Sequence, residues 1–392
     1  MKYQGVASNG ETVEFHDPKR WLYLFGLIVP IIGIGSMVAY LTIEPALWLL
    51  AVSALIYFIG IPFLDLVVGG DTSNPPEAVV PAMSADKHYD YIAYAMIPGH
   101  FILFGLGVYI VGTQDLPIWA YLVLLLGVGS LNGNSLTLAH EIGHKTDKLN
   151  RFFAKVALSL SGYGHFTIEH NAGHHVWVAT PEDCASSKMG ETVFGFALRE
   201  LPGAFVGGWK LEARRLKAQG LPLFHWKNDI LQVYAATALI AIVLVAWLGW
   251  IVFPFILVHH FLVWYALTQA NYIEHYGLLR QKKANGKYER CQPRHSWNTN
   301  HRISNLFSLH LQRHSDHHAY PQRPYQALRD YDDVPVLPSG YPGSMALANI
   351  PPLWFAVMDP RVIEWADGDI DAIHITDKKR AQLEKALASP AE

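Results

Sequence analysis

Stretches without any Asp, Glu, Lys or Arg recur along the chain and alternate with polar segments. Four of them cover residues 21–43, 45–64, 91–114 and 116–139, and a fifth, almost twice as long, covers 230–273. A helix needs about 20 apolar residues to cross the hydrocarbon core of a membrane, so the fifth stretch has room for two helices. Gly249 and Pro254 are typical turn residues between them. The pattern therefore predicts six transmembrane helices.

The basic residues predict how these helices are oriented. With a cytoplasmic N-terminus, the outer connections lie at Glu44, near Asp115 and at 249–254, and none of them contains Lys or Arg. All 30 basic residues then lie in the N-terminal tail, in 68–90, in 140–229 or after residue 273. An excess of Lys and Arg marks the cytoplasmic side of a membrane protein. Both termini are therefore expected on the cytoplasmic side.

This pattern divides the chain into four segments. Residues 1–139 hold the N-terminal tail and helices 1–4, and 230–273 hold helices 5 and 6. Two cytoplasmic segments, 140–229 and 274–392, contain most of the polar residues. The Pro- and Gly-rich stretch 334–352 is expected to be irregular, and 361–387 has the composition of a surface helix.

Composition supports the membrane assignment and excludes other classes. Charged residues make up 16% of the chain, against roughly 25% in soluble proteins. The net charge of -3 offers no basic face for nucleic acid. Cys184 and Cys291 are too few for a disulfide framework. A polar N-terminus followed by a full-length apolar run does not predict a cleavable signal peptide.

Clustered histidines are the main chemical signal. HEIGHK places His140 and His144 four residues apart, on one face of a helix, just where the fourth predicted helix ends. The motifs EHNAGHH, NYIEHYG and LQRHSDHH complete a set of nine histidines on the predicted cytoplasmic side: His140, His144, His170, His174, His175, His275, His314, His317 and His318. One such pair arises often by chance, but the convergence of all four motifs indicates a metal centre.

The number of ligands indicates two metal ions. Imidazole binds iron, copper, zinc or nickel, so ligand type alone does not identify the metal. Nine imidazoles exceed the coordination of one ion, whereas two ions would each receive four or five and keep an open position. We therefore predict a cap of cytoplasmic helices that binds metal beneath six transmembrane helices, in an all-α integral membrane protein.

Polar neighbours of these histidines are candidates for hydrogen bonds around the metals. Carboxylates beside the ligands could equally be ordinary surface groups, and polar residues of the fourth and sixth helices could serve helix packing. The candidates are Glu141, Glu169, Glu274, Asp316, Asn134, Gln269 and Asn271. Asn132 and Thr137 lie on the same helix ends. The eleven remaining histidines are left out of the ligand set, among them His310, four residues before His314.

HEIGH also matches the H-E-x-x-H signature of zinc proteases, in which two histidines bind zinc and the glutamate is the general base. This alternative explains His140 and His144 but leaves seven clustered histidines without a role. A transporter is the non-enzymatic alternative. Transporters place their polar residues near the middle of the membrane, whereas these clusters lie at helix ends.

The motifs HEIGHK, EHNAGHH, NYIEHYGLLR and LQRHSDHH resemble those of the membrane alkane 1-monooxygenases, within the wider class of histidine-rich membrane desaturases and hydroxylases. The resemblance spans residues 140–318 and the six-helix layout. It implies two non-haem iron ions held by the nine histidines, in the bacterial inner membrane, with no further catalytic side chain. The implied reaction converts an n-alkane and O2, with two electrons and two protons, to a primary alcohol and water.

The resemblance also implies a rubredoxin as electron donor, with a rubredoxin reductase upstream. The chain itself shows no flavin, nicotinamide or four-cysteine iron motif. Lys210, Arg214, Arg215 and Lys217 form a basic stretch that would receive this donor or bind lipid head groups. A fatty-acyl desaturase and a xylene-type methyl hydroxylase are alternatives that would use the same metal geometry.

Overall fold

The computed structural model describes residues 1–388 and is almost entirely helical. Six helices in this part of the chain are long and apolar enough to cross a membrane. The prediction of an all-α membrane protein with six spanning helices is thereby confirmed. We name them span 1 to span 6 in chain order: Leu22–Thr42, Leu47–Val68, His88–Thr113, Ile118–Gly143, Asp229–Leu248 and Val252–His275.

Local sequence explains the ends and irregularities of the spans. Span 2 contains a π-helical turn at Ile56–Gly60. The side-chain oxygen of Asn228 accepts a hydrogen bond from the backbone amide of Leu231 and so caps the N-terminus of span 5. Gly249 closes span 5 with a φ of 83°, a left-handed conformation that glycine adopts without steric cost. The turn to span 6 is therefore very short.

The remaining elements lie outside the spans. The N-terminus forms an antiparallel hairpin of β1, Lys2–Val6, and β2, Thr12–His16. Helix α3 consists of Phe166–Glu169, a π-helical turn at His170–His174, and His175–Trp177. The other helices are α1, Val80–Ser84; α2, Lys148–Ser159; α4, Val193–Ala218; α5, Arg302–Phe307; α6, His314–Ala319; α7, Tyr341–Ala348; α8, Pro351–Trp365; and α9, Asp377–Ala388. Short 3-10 turns occupy Glu77–Val79, Pro293–His295, Tyr325–Ala327 and Ile370–Ala372.

The region after residue 330 differs from the sequence prediction. Helix α7 lies inside 334–352, which was expected to be irregular, and its Tyr341 and Met345 are buried against span 6 and α8. The helix expected over 361–387 is instead divided between α8 and α9. Gly368, with a φ of 77°, lies between these two helices. Tertiary packing explains why α7 forms in a Pro- and Gly-rich stretch. The interruption at Gly368 explains why 361–387 is not one continuous helix.

Two buried side chains form hydrogen bonds between segments of the chain that are remote in sequence. Asp65 of span 2 accepts the backbone amides of Ile303 and Ser304 and so caps α5. Arg313, 1% exposed, donates to the carbonyls of Asp71 and Leu328 just before α6 begins. The histidines of α6 are therefore held by segments that are remote in sequence.

Spans 4 and 6 approach closely along a seam of glycines. A Cβ atom on Gly129 would lie 2.7 Å from Leu262 Cδ1, and one on Gly133 would lie 2.8 Å from Ala266 Cβ. Small residues four apart allow transmembrane helices to pack this tightly. The seam positions the two helix ends at which His140 and His275 lie.

Candidate metal centre

Three helices and the end of span 6 bring the nine clustered histidines together. His140 and His144 lie at the end of span 4, and His275 is the last residue of span 6. α3 contributes three histidines around its π-helical turn, and α6 contributes three more. In the π-turn, residues five apart face each other, and the Nε2 atoms of His170 and His175 are 2.9 Å apart. The local widening of the helix thus aims both imidazoles at one point.

The nine imidazoles form two groups, and in each group the ligand atoms all lie within 4.8 Å of one another. The five-histidine group joins the ends of span 4 and α3 to α6, and its members are His140, His144, His170, His175 and His317. The four-histidine group joins α3 to span 6 and α6, and its members are His174, His275, His314 and His318.

Distances between ring nitrogens fit metal coordination. Nε2 of His314 lies 2.9 Å from that of His318 and 3.3 Å from that of His275. Two imidazoles bound to one ion at about 2.0–2.1 Å and at right angles have nitrogens about 3 Å apart. The Nε2 atoms of His140 and His174 are buried and have no hydrogen-bond partner among the described residues. Buried nitrogens in this arrangement fit a bound cation in each group.

Burial favours the neutral form in five of these imidazoles, and the neutral form is the one that binds metal. Burial, and secondarily the neighbouring histidines, hold the pKa values of His170, His175 and His317 well below the ordinary histidine value. The same causes lower the pKa values of His314 and His318. The lone pairs of these rings are therefore available at neutral pH.

Asp183 orients one ligand and was missed in the sequence. Its Oδ2 atom lies 2.9 Å from Nδ1 of His174, which leaves Nε2 of that ring for a metal. The hydroxyl of Ser186 and the amide of Ala185 also donate to this carboxylate. Burial alone would raise the pKa of Asp183, but these partners lower it below the ordinary value. For His174, burial lowers the pKa and Asp183 outweighs this effect, so the net shift is upward.

Glu274 lies against the four-histidine group itself. Its Oε2 atom is 3.2 Å from Nε2 of His314, and the hydroxyl of Tyr341 donates to Oε1 at 2.5 Å. The side chain is fully buried. A carboxyl oxygen is therefore placed next to a metal-binding nitrogen of this group.

A cavity begins among the spans and ends at the metal centre. His140 of one group and His314 of the other both line it, together with Glu274. Apolar side chains form much of the remaining wall. These include Leu136, Ala266, Leu267, Ala270, Phe307, Leu311 and Met345, and Tyr57 of span 2 lies beside Met345. A long apolar molecule in this cavity would reach both histidine groups.

The sequence is similar to those of known proteins over most of its length. Residues 117–344, more than half of the chain, match the model of the fatty acid desaturase family. Alkane 1-monooxygenase 1 of Alcanivorax borkumensis is 44% identical over 373 residues, which cover 94% of this chain and 91% of the relative. The alkane 1-monooxygenase of Ectopseudomonas oleovorans is 43% identical over 371 residues, with 94% and 91% covered.

The chain belongs to the alkane 1-monooxygenase family. As a member of this family it is a monooxygenase, and the resemblance carried by its histidine motifs is confirmed. A more distant relative is the hydroxylase component of a xylene/toluene monooxygenase from Pseudomonas putida, 27% identical over 285 residues, which cover 70% of this chain and 74% of the relative. A protease that uses HEIGH does not fit this family, and it would account for only His140 and His144 in a group of five.

In this family member, two other carboxylates that were predicted as neighbours of the metals, Asp316 and Glu141, lie beside basic side chains. Asp316 accepts from Arg323, from Tyr331 and from the amide of Arg329. Glu141 lies 3.9 Å from Lys145. Asp316 thus serves the fold around α6, and none of these three partners is a histidine.

The remaining predicted neighbours lie around the cavity or beside His170 and His174 of α3. Asn134 lines the cavity, and neither of its amide atoms has a hydrogen-bond partner among the described residues. Asn271 lines it too and donates to Glu200 of α4, while Gln269 donates to the carbonyl of Met345. Glu169 packs against Gly173 and Gly207. Asn132 joins His100 to His259 within the spans, and Thr137 lines the cavity. His310 contacts Tyr23 and lies outside both histidine groups.

A second opening also reaches the metal centre of this monooxygenase. It is a cleft that is lined by His144 and His175 of the five-histidine group. Its other walls come mainly from α2 and α3, with Arg215 of α4, and they include several charged side chains: Lys145, Arg151, Lys155, Arg215 and Asp229. The two openings reach different ligands, one along mainly apolar walls and the other along charged ones.

Proposed function

We propose that this protein hydroxylates the terminal methyl group of n-alkanes at a pair of iron ions held by the nine clustered histidines. The observation that carries the proposal is the cavity that runs from apolar walls to His140 and His314. It supplies both a place for a hydrocarbon chain and contact with each histidine group. The names of the most similar relatives, alkane 1-monooxygenases, agree with this substrate class.

In this proposal the five-histidine group holds one iron and the four-histidine group holds the other. Glu274 would balance charge at the second ion, and Asp183 would fix the ring of His174. The chemistry that bound iron supplies is reductive activation of O2, with one oxygen atom entering a C–H bond. The protein's own contribution is to hold the methyl end beside the ligands and to keep bulk water away from the apolar chain.

The experiment that tests this function combines metal and product analysis. Purified protein in a membrane mimetic receives octane, O2 and reduced rubredoxin. We expect two iron ions per chain and 1-octanol as the product. One equivalent of zinc without alcohol would contradict the proposal. An alkene would favour a desaturase, and preferential oxidation of a methyl group on an aromatic ring would favour a xylene-type hydroxylase.

The position of the metal centre relative to the membrane is part of the proposal. The charge pattern places the two polar segments, 140–229 and 274–392, on the cytoplasmic side of a bacterial inner membrane. A cytoplasmic cap of helices would then carry the metal ligands below the spans. A cysteine introduced at an exposed position, as in Lys217→Cys, and labelled from either side of sealed vesicles would determine the orientation.

Substitution of Met345 should change the range of alkanes. Met345 lines the cavity beside Tyr57. In Met345→Phe a bulkier, stiffer ring shortens the space, so turnover of dodecane should fall several-fold more than turnover of octane. Gas chromatography of competing alkanes measures the ratio. Leu353→Phe, at a site 51% exposed on α8, is the control. An unchanged ratio in Met345→Phe would show that the alkane lies elsewhere.

Rubredoxin, as the proposed electron donor, would bind over the charged cleft. α4 packs against α3, and its Arg215 lines the cleft beside His175. Arg215 is held by Glu212 and by the carbonyl of Lys227, whereas Lys210, Arg214 and Lys217 are exposed. Electrons entering here would have a short path to the five-histidine group. The exposed residues of α4 are thus better candidates for contact with an acidic donor than Arg215.

Charge reversal on α4 tests this docking surface. In the triple variant Lys210→Glu, Arg214→Glu and Lys217→Glu, we expect the KM for rubredoxin to rise at least about tenfold at low salt, because complementary charges mainly accelerate association. The KM for octane should stay unchanged. Reversal of Lys282 and Lys283, on another exposed segment, is the control. Equal effects of salt on wild type and triple variant would instead indicate that α4 faces lipid head groups.

A further inference from the structure

A small buried chamber lies beside His170 and His174 of α3. It adjoins the cavity that His140 and His314 line, which we call the reaction cavity. His174 lines one side, and Glu200 of α4 lines another. Tyr163 and His165, each 3% exposed, also line it. The hydroxyl of Tyr163 and Nε2 of His165 have no hydrogen-bond partner among the described residues. The chamber has room for on the order of one water molecule, which such unsatisfied polar groups would bind.

Glu200 lies in the wall between this chamber and the reaction cavity. It is 1% exposed, and it accepts hydrogen bonds from Thr268 at 2.7 Å and from Asn271 at 3.2 Å. Asn271 and Leu267 line both spaces. Burial raises the pKa of Glu200 to about 7, even though the two hydrogen bonds act in the opposite direction. Glu200 therefore exchanges a proton readily near neutral pH.

His165 connects the chamber to the protein surface. Its Nδ1 atom lies 2.9 Å from the hydroxyl of Tyr234, a half-buried residue near the start of span 5. Burial lowers the pKa of His165 to about 4, so the ring is neutral and has one N–H group and one lone pair. The absence of a side chain at Gly208 leaves room for His165, because a Cβ atom at position 208 would lie 2.8 Å from His165 Cβ. Exchangeable hydrogens thus extend from Tyr234 through His165 to the chamber that Glu200 also lines.

We infer that Tyr234, His165, a chamber water and Glu200 form the inlet through which protons reach the reaction cavity. This inference rests on the proposed function, because hydroxylation of an alkane by O2 consumes two protons. One oxygen atom enters the alcohol, and the other leaves as water with two electrons from the donor and these two protons. Glu200 passes its proton to a water molecule in the reaction cavity, beside Asn271. The chamber water then reprotonates Glu200. His165 gives a proton to that water and takes one up from the hydroxyl of Tyr234, which regains a proton from solvent.

Two variants interrupt the inlet at different points. Glu200→Gln removes the exchangeable carboxyl group, and Ala204→Leu fills the chamber, which Ala204 lines, without altering an ionisable group. Positioned proton-transfer groups contribute roughly 10²–10⁴-fold to rate, so kcat should fall at least about tenfold in both variants. The KM for octane and the iron content should be unchanged, and the solvent deuterium isotope effect on kcat should rise. Ala213→Leu, further along α4, is the matched control.

An infrared measurement gives a readout that does not depend on turnover. The wild-type minus Glu200→Gln difference spectrum of iron-free protein should contain a protonated carboxyl band that shifts in D2O. Wild-type kcat and isotope effect in Ala204→Leu, or in Glu200→Gln with normal iron content, would overturn the inference and assign proton entry to the charged cleft. Absence of alcohol from the wild type would instead contradict the proposed function, while the infrared band would still report on Glu200.

Discussion

Replacement of His275 by alanine is expected to remove iron from one site and to abolish hydroxylation. His275 belongs to the four-histidine group, so the variant leaves three imidazoles there. Changes in residues that merely support metal ligands cost roughly 10–100-fold in affinity or activity, and loss of a direct ligand should cost on the order of 100-fold or more. His317→Ala leaves four imidazoles in the other group and should retain more iron. Elemental analysis and 1-octanol formation measure both effects.

His310→Asn provides the matched control for this prediction. His310 is buried but lies outside both groups, and its φ of 55° suits asparagine better than most residues. Its iron content should equal that of the wild type. If His275→Ala kept full iron content and activity, His275 would not be a ligand. Iron loss in His310→Asn without unfolding would instead extend the ligand set.

Asp183→Asn is expected to lower iron affinity at the four-histidine group by roughly 10–100-fold, the usual cost of removing a carboxylate behind a histidine ligand. The reason is the contact of 2.9 Å between Asp183 and Nδ1 of His174. An amide supplies less negative charge, and its NH2 group would oppose the N–H of the ring if the side chain turned. Titration of iron-free protein with Fe²⁺ gives the affinity, and alcohol formation gives the corresponding loss of rate.

Asp316→Asn is the control for Asp183→Asn. It shows whether iron affinity falls only when the carboxylate beside His174 is lost or whenever a buried carboxylate is lost. Asp316 is fully buried, but its partners are Arg323, Tyr331 and a backbone amide. Breaking a buried ion pair costs roughly 3–5 kcal/mol, so this variant should have a lower Tm with nearly unchanged iron affinity once loaded. Equal iron affinities in Asp183→Asn and the wild type would remove Asp183 from the metal centre.

The spans and the histidine motifs were predictable because each is a local property of the sequence. Length and absence of charge identify a spanning helix, and the clustering of imidazoles along the chain selected the histidines that the fold brings together. The division into groups of five and four was not predictable. It depends on the π-helical turn at His170–His174, which separates His174 from its neighbour His175.

Other parts of the site depend on contacts between distant segments. Asp183 lies on a loop nine residues after His174, and this spacing does not place two residues on one face of a helix. It reaches the ring of His174 because Arg199 donates to the carbonyls of Cys184 and Ser186 and so holds the loop in place. Glu200 belongs to α4, a helix without a histidine motif. Conversely, Asp316 stands beside a histidine in the sequence but points to Arg323. Adjacency along the chain is a weak guide to which carboxylate supports a metal.

The glycine seam between spans 4 and 6 couples the membrane to the metal centre. Gly129, Gly133, His140 and His144 recur at intervals of four, seven and four residues, which places them along one helix face. Closer packing of this face against span 6 draws the ligands at both helix ends together. Whatever binds only the packed form also stabilises it, so metal binding and association of the two spans are linked equilibria. Bilayer conditions that favour tight helix packing are therefore, thermodynamically, also conditions that favour metal retention.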